Sequence, residues 1–412
     1  MDKDHKAGVC SKATELAEGE ITCSVYSSFE EVAGIRVEWD DFVESVGGDI
    51  YLTFDWCRIW WRYYGDSRKL RLFVFRKGDV IVGIGPFFIE RIGWKPVGLQ
   101  MAKMVGADFT VVILVPPFCQ EYSHKIISYV NEQLFCSDRC DAVCWGPLSG
   151  IHPSAKEIEE HFRDSENSYT IVKKIFLGNY TLFDVPNTFE EYFASLSKST
   201  RKHYRRGYED LTAQYKVNFS LVENLAEDFP EFIEMHESQW RAVNKLGHFS
   251  DWPGARDFHT DLVKTHSQLG RLRLFCLYAD DNPIVYRYVY RFGKRYYSFL
   301  PARICGAEWD KLGLGQMSHI MTVEKAAEEA VCEIDAGRGH YQHKLNLGGK
   351  EYPVVSFLVS NRSFRCIVRA RLFSLFSGML HFLYYRVWFN RLAPKLPFKR
   401  WPLWKLWVRT RL

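Results

Sequence analysis

The sequence predicts an α/β protein, more narrowly an α+β arrangement of two domains, in which mixed, mainly antiparallel sheets carry flanking helices. Three observations point there. A chain of 412 residues exceeds one typical hydrophobic core, so two domains are expected. The stretch from Arg271 to Leu300 reads as three strand-like runs separated by turn chemistry. The stretch from Lys311 to Asp335 then reads as a glycine-bearing turn, a helix and a buried strand.

In that second region Arg271–Tyr278 is an apolar run, Ala-Asp-Asp-Asn-Pro ends at Pro283, and Ile284–Arg291 and Arg295–Leu300 follow on either side of Phe292-Gly293-Lys294. Asp-Asn-Pro and Gly-Lys are turn sequences, so the three runs form an antiparallel meander. Met317, Ile320, Met321, Val323, Ala326, Ala327 and Ala330 recur at three and four, the helical period. Val331–Asp335 is a short buried strand that runs into Ala-Gly-Arg-Gly339. Gly313 and Gly315 stand just before the helix. Free backbone N–H groups and the helix dipole there favour a phosphate, and a missing β-carbon permits close approach. A plain helix start is the competing reading.

The first half is built from similar parts. Phe54, Cys57, Ile59, Trp60, Trp61 and Tyr64 keep helical spacing within Tyr51–Tyr64, with Thr53 or Asp55 as cap. Leu70–Phe75, Val80–Ile89, Gly98–Val105 and Thr110–Val115 are extended. Cys136, Cys140 and Cys144 lack the paired spacing of a zinc site, and Asp141–Trp145 reads as a buried strand, so buried thiols are expected and no metal.

Composition excludes several classes. Hydrophobic residues at 47% and charged residues at 25% describe a globular chain, and no nucleophile-elbow, phosphate-loop, dinucleotide-fold or zinc-protease motif occurs. Eleven cysteines at irregular spacing and a polar N-terminus fit a reducing cytosol. The net charge of +4 hides an asymmetry. After Glu351 there are twelve Lys and Arg and no acid, which leaves 42 basic against 50 acidic residues before it.

The strand opening at Gly270, the Tyr296-Tyr297 strand, Leu312-Gly-Leu-Gly315, Ile334-Asp-Ala-Gly-Arg-Gly339 and Lys344 together resemble the C-terminal lobe of the BioF2-like or CelD-like acetyltransferases. These form a branch of the GNAT superfamily related to the Fem peptidyltransferases. The tryptophan-rich helix, Val82-Gly-Ile-Gly-Pro86 and the Gly106/Asp108 element resemble that family's N-terminal lobe. The chain departs from the pattern at Asp310, where Arg or Gln is usual, and at His343, where Tyr is frequent.

The resemblance implies two tandem GNAT-like lobes and an acyl-CoA-dependent acyltransferase, acetyl-CoA first among donors. The expected divisions are a disordered lead-in over 1–24, lobes over 25–175 and 176–360, and a basic aromatic tail over 361–412. The donor site falls in the second lobe, at Tyr297, Phe299, Lys311, Gly313, Gly315 and Gln316. Asp335, at the end of a strand, is the candidate base, with capping of the following turn as its alternative. Tyr341 is the candidate acid, and Lys344 anchors the acceptor or a phosphate. Arg201, Arg205, His236, Trp240 and Arg338 are candidate acceptor contacts. Arg201 and Arg205 share a helix face and match the family's Ser-x-x-x-Arg-x-x-x-Arg-Arg helix at Ser197. A solvated basic face and a structural histidine are the competing readings.

The family's links to envelope and exopolysaccharide synthesis imply a small-molecule or lipid-linked sugar as acceptor. The alternatives are Fem-like transfer from aminoacyl-tRNA, for which no heptad arm is found, and a non-catalytic membrane scaffold. In the tail, the apolar run Leu372–Tyr385 is shorter than a bilayer span, while Trp388, Trp401, Trp404 and Trp407 interleave with Lys and Arg. That composition suits an anionic membrane surface, ahead of packing on the acidic body and of nucleic-acid binding. The expected location is the cytoplasm, peripheral at the inner face of the membrane. Removal of the tail is expected to leave both lobes soluble.

Overall fold

A computed structural model describes residues 14–15, 21–93, 98–108, 113–163, 168–251, 253–396 and 402–412. Most of the expected lead-in, part of the Thr110–Val115 segment and Trp401 lie outside the described residues.

In chain order the first half contains β1 (Thr14–Glu15), β2 (Ile21–Tyr26), α1 (Arg36–Ser45), α2 (Phe54–Tyr64), β3 (Lys69–Lys77), β4 (Val80–Ile92), β5 (Leu99–Met104), α3 (Ser123–Glu132), β6 (Ala142–Ser149) and α4 (Pro153–Arg163). Next come β7 (Tyr169–Asp184), α5 (Phe189–Ser195), α6 (Lys198–Thr212), β8 (Val217–Leu221), α7 (Leu225–Arg241), α8 (His248–Asp251) and α9 (Ala255–Gln268). The second half has β9 (Leu272–Ala279), β10 (Asn282–Phe292), β11 (Arg295–Arg303), α10 (Ala307–Asp310), α11 (Leu314–Glu328), β12 (Glu333–Arg338), α12 (Gln342–Asn346) and β13 (Lys350–Asn361). The tail holds α13 (Phe364–Leu380), which runs on as a π-helical stretch to Leu392, and α14 (Trp404–Thr410).

All the described strands join one sheet of order β1-β2-β3-β4-β5-β6-β13-β7-β12-β11-β10-β9-β8. Its two ends repeat each other. β3, β4 and β5 form an antiparallel meander, and β5 then pairs in parallel with β6; β9, β10, β11 and β12 do the same. The crossover between the parallel partners carries α3 in one lobe and α11 in the other. The lobes exchange their last strands. β7, which follows the first lobe, pairs with β12, while β13, which follows the second, pairs with β6, and the two pair with each other. The boundary expected at 175/176 therefore falls inside β7, and β2 begins within the stretch expected to be lead-in.

One large core spans both lobes. Trp56 of α2 is fully buried and sets its ring against Tyr51 (4.9 Å), Tyr290 (5.2 Å) and Phe299 (6.3 Å). The opposite face of the second lobe packs Val289, Tyr296 and Ile334 against Ile320 and Val323 of α11. Burial on both sides explains why α11 carries a continuous buried run from Met317 to Val323 rather than a narrow stripe.

The tail is not separate. Ala370 and Phe373 of α13 pack on Met101, Ala142, Cys144 and Leu358, and Arg369 pairs with Asp141 at 2.5 Å. Trp404 and Trp407 are buried among Leu380, Tyr384 and Phe389. The expectation that these two tryptophans face a membrane is corrected here, because both are buried in one aromatic cluster, their rings 4.9 Å apart. A chain cut after Phe364 would expose both clusters, so solubility without the tail is no longer expected. Cys140 and Cys144 are buried as expected and burial pushes both thiols up, Cys144 to about 11; Cys136 is exposed.

Candidate functional site: a wedge beside the parallel strands

The parallel ladder between β11 and β12 closes only at Arg295–Tyr297 against Glu333–Asp335. Beyond Tyr297, β11 continues to Arg303 with β10 on one side, and β12 bends away at a bulge between Asp335 and Arg338. A wedge opens at that point. At its far end α7 already takes part of the β11 edge: the Arg303 N–H donates to Gln239 (3.3 Å) and the Pro301 carbonyl meets His236 (3.0 Å). The first lobe has the same wedge beyond Lys103 and Cys144, but the chain's own end fills it. Lys103 donates to the carbonyls of Arg409 (2.8 Å) and Arg411 (3.0 Å), and Arg409 donates to Glu90 (2.8 Å). Arg68 bridges Glu90 (3.2 Å) and Asp108 (2.8 Å) beneath, and only about 30 Å³ of cavity remains beside Gly146, Arg338 and Leu412.

At the mouth of the second wedge stands the N-terminus of α11. Gly313 is its cap with φ of +67°, a left-handed conformation that favours glycine, and a β-carbon there would meet His203 at 2.6 Å. A β-carbon on Gly315 would meet nothing within 4 Å, so the space in front of that residue is open. The Gly313 carbonyl accepts from Gln316 (2.9 Å) and Met317 (3.0 Å), and helix geometry leaves the N–H groups before them free of intrahelical partners. Lys311 is exposed beside this turn. Asp310, which departs from the family pattern, pairs with Arg303 at 2.5 Å, so a cation stands next to the turn from the end of β11.

At the closed end, Asp335 is buried. It accepts from the Gly337 N–H (2.7 Å) and from the Tyr352 hydroxyl (2.8 Å), and burial raises its carboxyl above the usual range. The capping geometry and the location expected of a base therefore coincide in one side chain. Lys344 donates to the carbonyl of Ala336 (2.8 Å) and lies 3.4 Å from those of Gly337 and Arg338, which ties down the turn behind Asp335. Burial lowers its ammonium to about 8. Tyr341 caps α12, is 52% exposed, and stacks on His343 at 5.4 Å.

The first lobe contributes Asp49. Its Oδ1 accepts from Tyr297 (3.2 Å) and Arg295 (3.2 Å), its Oδ2 from the Val115 N–H (3.2 Å), and burial pushes its carboxyl up to about 6. Tyr51 sets its ring 5.2 Å from Tyr297. After burial, the nearby Asp335 charge also raises the Asp49 carboxyl, so two buried acids drawn from the two lobes lie at the closed end of the wedge. Local sequence signals missed Asp49, Tyr51 and Tyr352. Also missed was Arg287, a buried cation on β10 that donates to His319 Nδ1 (2.9 Å) and that burial lowers to about 10.

The remaining expected residues lie further out. Arg201 donates to the carbonyls of Ala194 and Leu196, both at 2.6 Å, and so closes the end of α5. Arg205 covers the Phe193 ring at 5.3 Å. His236 meets the Pro301 carbonyl (3.0 Å) and His248 (3.1 Å), with Trp240 6.1 Å away, so α7 braces the far end of β11. The Phe299 ring lies against His259 at 5.1 Å, in the core between the lobes. Arg338 comes within 3.5 Å of a β-carbon placed on Gly178 and reaches toward the chain's end. Among the described residues, no three His, Cys, Asp or Glu side chains converge to hold a metal. A shallow concavity of about 490 Å³ between α4 and β7 is lined by the ion-paired Glu159, Arg163 and Lys174, far from this chemistry.

A meander, a parallel step that splays, and a helix N-terminus at its mouth define a fold of GNAT type, present twice. Residues 198–345 match the family model of an acetyltransferase (GNAT) domain, so the second lobe is a GNAT acetyltransferase domain and the protein is an acyltransferase. The crystal structure of FemX is similar over 78% of this chain and 95% of its own, at 10% identity and a TM-score of 0.58, which shows a shared fold. A conserved protein of unknown function from Bacteroides thetaiotaomicron covers 80% of this chain and 97% of its own, at 9% identity and a TM-score of 0.48. The C-terminal domain of a putative lysylphosphatidylglycerol synthetase from Agrobacterium fabrum covers 85% and 97%, at 12% identity and 0.46. No curated protein matches the chain in sequence.

Proposed function

We propose that the protein transfers an acyl group from acyl-CoA, acetyl-CoA first, to an amine or hydroxyl of a sugar or a cell-envelope or exopolysaccharide precursor. The observation that carries this is the wedge between β11 and β12, with the open helix N-terminus at Gly315 at its mouth and Asp335 at its closed end. The first lobe's wedge is occupied by Arg409–Leu412, which favours the second lobe as the donor site. Lys311 and the turn N–H groups would face the pyrophosphate, and the β11 edge would hold the pantetheine chain and the oxyanion. The acceptor's nitrogen or oxygen attacks the thioester carbonyl while Asp335 takes its proton. The carbon–sulfur bond breaks, and the Tyr341 hydroxyl supplies the proton on the departing thiolate. Lys344, by fixing the 336–338 carbonyls, keeps Asp335 aimed at the wedge.

The test is thiol release from acetyl-CoA across a panel of amino sugars and sugar alcohols, run beside transfer from aminoacyl-tRNA. Acceptor-dependent release well above the rate of hydrolysis is expected from at least one sugar. Transfer from aminoacyl-tRNA without any thiol release would replace this reading with the Fem-like one.

A further inference from the structure

α13 and its continuation form a helix from Phe364 to Lys395, 32 residues with a mean hydropathy of 1.3 over its most apolar window, long and apolar enough by composition to cross a membrane. The 14-residue apolar run visible in the sequence underestimates it. One side is committed to the body. Ala370, Phe373, Ser374, Ser377 and Leu380 face inward, Lys173 donates to Ser374 at 3.0 Å, and Arg369 pairs with Asp141. The other side is bare. Leu372 (60% exposed), Leu375 (70%), Phe376, Met379 (53%), Phe382 and Leu383 recur at three and four and make one continuous stripe. Exposed large apolar residues elsewhere are scattered singly along the chain, which is ordinary for a protein surface; this stripe is not. Arg365, Arg371, Arg386 and Arg391 are exposed around it, and the sequence holds no acid after Glu351.

We propose that the stripe Leu372–Leu383 is a docking surface for an anionic bilayer, with the helix lying in the interfacial plane. An apolar face ringed by guanidinium groups matches the layer where acyl chains meet anionic headgroups. The buried inner face argues against a span, because crossing would strip Phe373 and the Arg369–Asp141 pair from the body and carry Arg371 and Arg386 into hydrocarbon. A second copy is a poorer occupant, because stripe-on-stripe contact would bring two basic rims together. Of the tryptophans first associated with a membrane, Trp404 and Trp407 have no part in this, since both point inward.

The test is co-sedimentation of the full chain with phosphatidylglycerol/phosphatidylcholine vesicles and with phosphatidylcholine alone. Binding to the former is expected, at least tenfold stronger than to the latter and weakened by salt. Leu375→Glu with Met379→Glu, at exposed positions that should leave the melting temperature unchanged, is expected to reduce binding at least tenfold. Alkaline carbonate should release the wild type from vesicles. The proposal is overturned by equal binding of the double variant, by no binding of the wild type, or by retention through carbonate. A dimer that the double variant dissociates, with no vesicle binding, would assign the stripe to a second copy instead.

Discussion

Asp335→Asn should lower turnover by about 10²–10⁴-fold, or about 3–5 kcal/mol of barrier, while acyl-CoA binding stays near wild type. The substitution is nearly isosteric. The asparagine oxygen still accepts from the Gly337 N–H, and its amide can still meet the Tyr352 hydroxyl, so the turn at the end of β12 is retained. What is lost is a group able to take a proton from the acceptor. Burial already raises that carboxyl, which moves it toward the range where a base works near neutral pH. Steady-state rates together with acyl-CoA titration measure both halves of the prediction. Wild-type turnover in this variant would remove Asp335 from the chemistry and turn attention to Asp49, the other buried acid at the same end. A variant that fails to fold would show that the capping contacts dominate.

The second large effect is acid lability. His259 and His266 are buried, and His248 half-buried, between α7, α8, α9 and the β10–β11 face, and burial lowers each to about 3. The unfolded chain binds these protons near 6.5, and the folded chain does not until about pH 3. The stability they confer is complete above 6.5 and is lost as pH falls toward 3. Within that window each costs about 1.4 kcal/mol per pH unit, so the three together cost about 4 kcal/mol per pH unit. Asp40, Asp49, Glu324 and Asp335, all raised, act in the opposite sense and return part of it.

The cleanest measurement is a difference between two proteins. Both ring nitrogens of His266 lack hydrogen-bond partners, and its ring packs 5.5 Å from Trp56 and 5.3 Å from Tyr290. His266→Leu keeps the volume and removes the proton site. Denaturant unfolding at pH 7, 6 and 5 should show the variant gaining on the wild type by about 1.4 kcal/mol per unit below 6.5. Parallel curves would mean that His266 stays near its ordinary value.

The second lobe was the legible part of the sequence because its instructions are local. Asp-Asn-Pro, Phe-Gly-Lys and the Gly313/Gly315 turn each force the chain at the point where they stand, and β9 through β12 follow them within three residues. The stretch 189–211 splits into α5 and α6 at Leu196-Ser197, where Ser197 accepts from the Thr200 N–H and starts a new helix; a serine inside a polar run gives little warning of that.

The strand exchange was illegible for a different reason. β7 and β13 pair with partners from both lobes, and nothing in a strand's own pattern says which lobe's edge it will complete. Asp49 was missed likewise. It meets Tyr297 across 248 residues of sequence, and its value lies in that meeting rather than in its neighbours. The tail misled through composition. Tryptophan beside lysine reads as interfacial, yet the aromatic rings fold inward and the exposed stripe is made of Leu, Met and Phe.

On the proposed function, the open β11/β12 wedge, and not its filled counterpart, takes acyl-CoA. Thermal unfolding of the wild type and of Gly315→Val with and without acetyl-CoA tests it most directly. Ligand at a hundred times its dissociation constant should stabilise the wild type by about 2.7 kcal/mol. Gly315 does not have a left-handed backbone and its surroundings are empty, so valine should fold there normally. Its branched side chain would stand where the phosphates approach, and the shift should vanish. The same stabilisation in both proteins would place acyl-CoA elsewhere and rule out this wedge as the donor site.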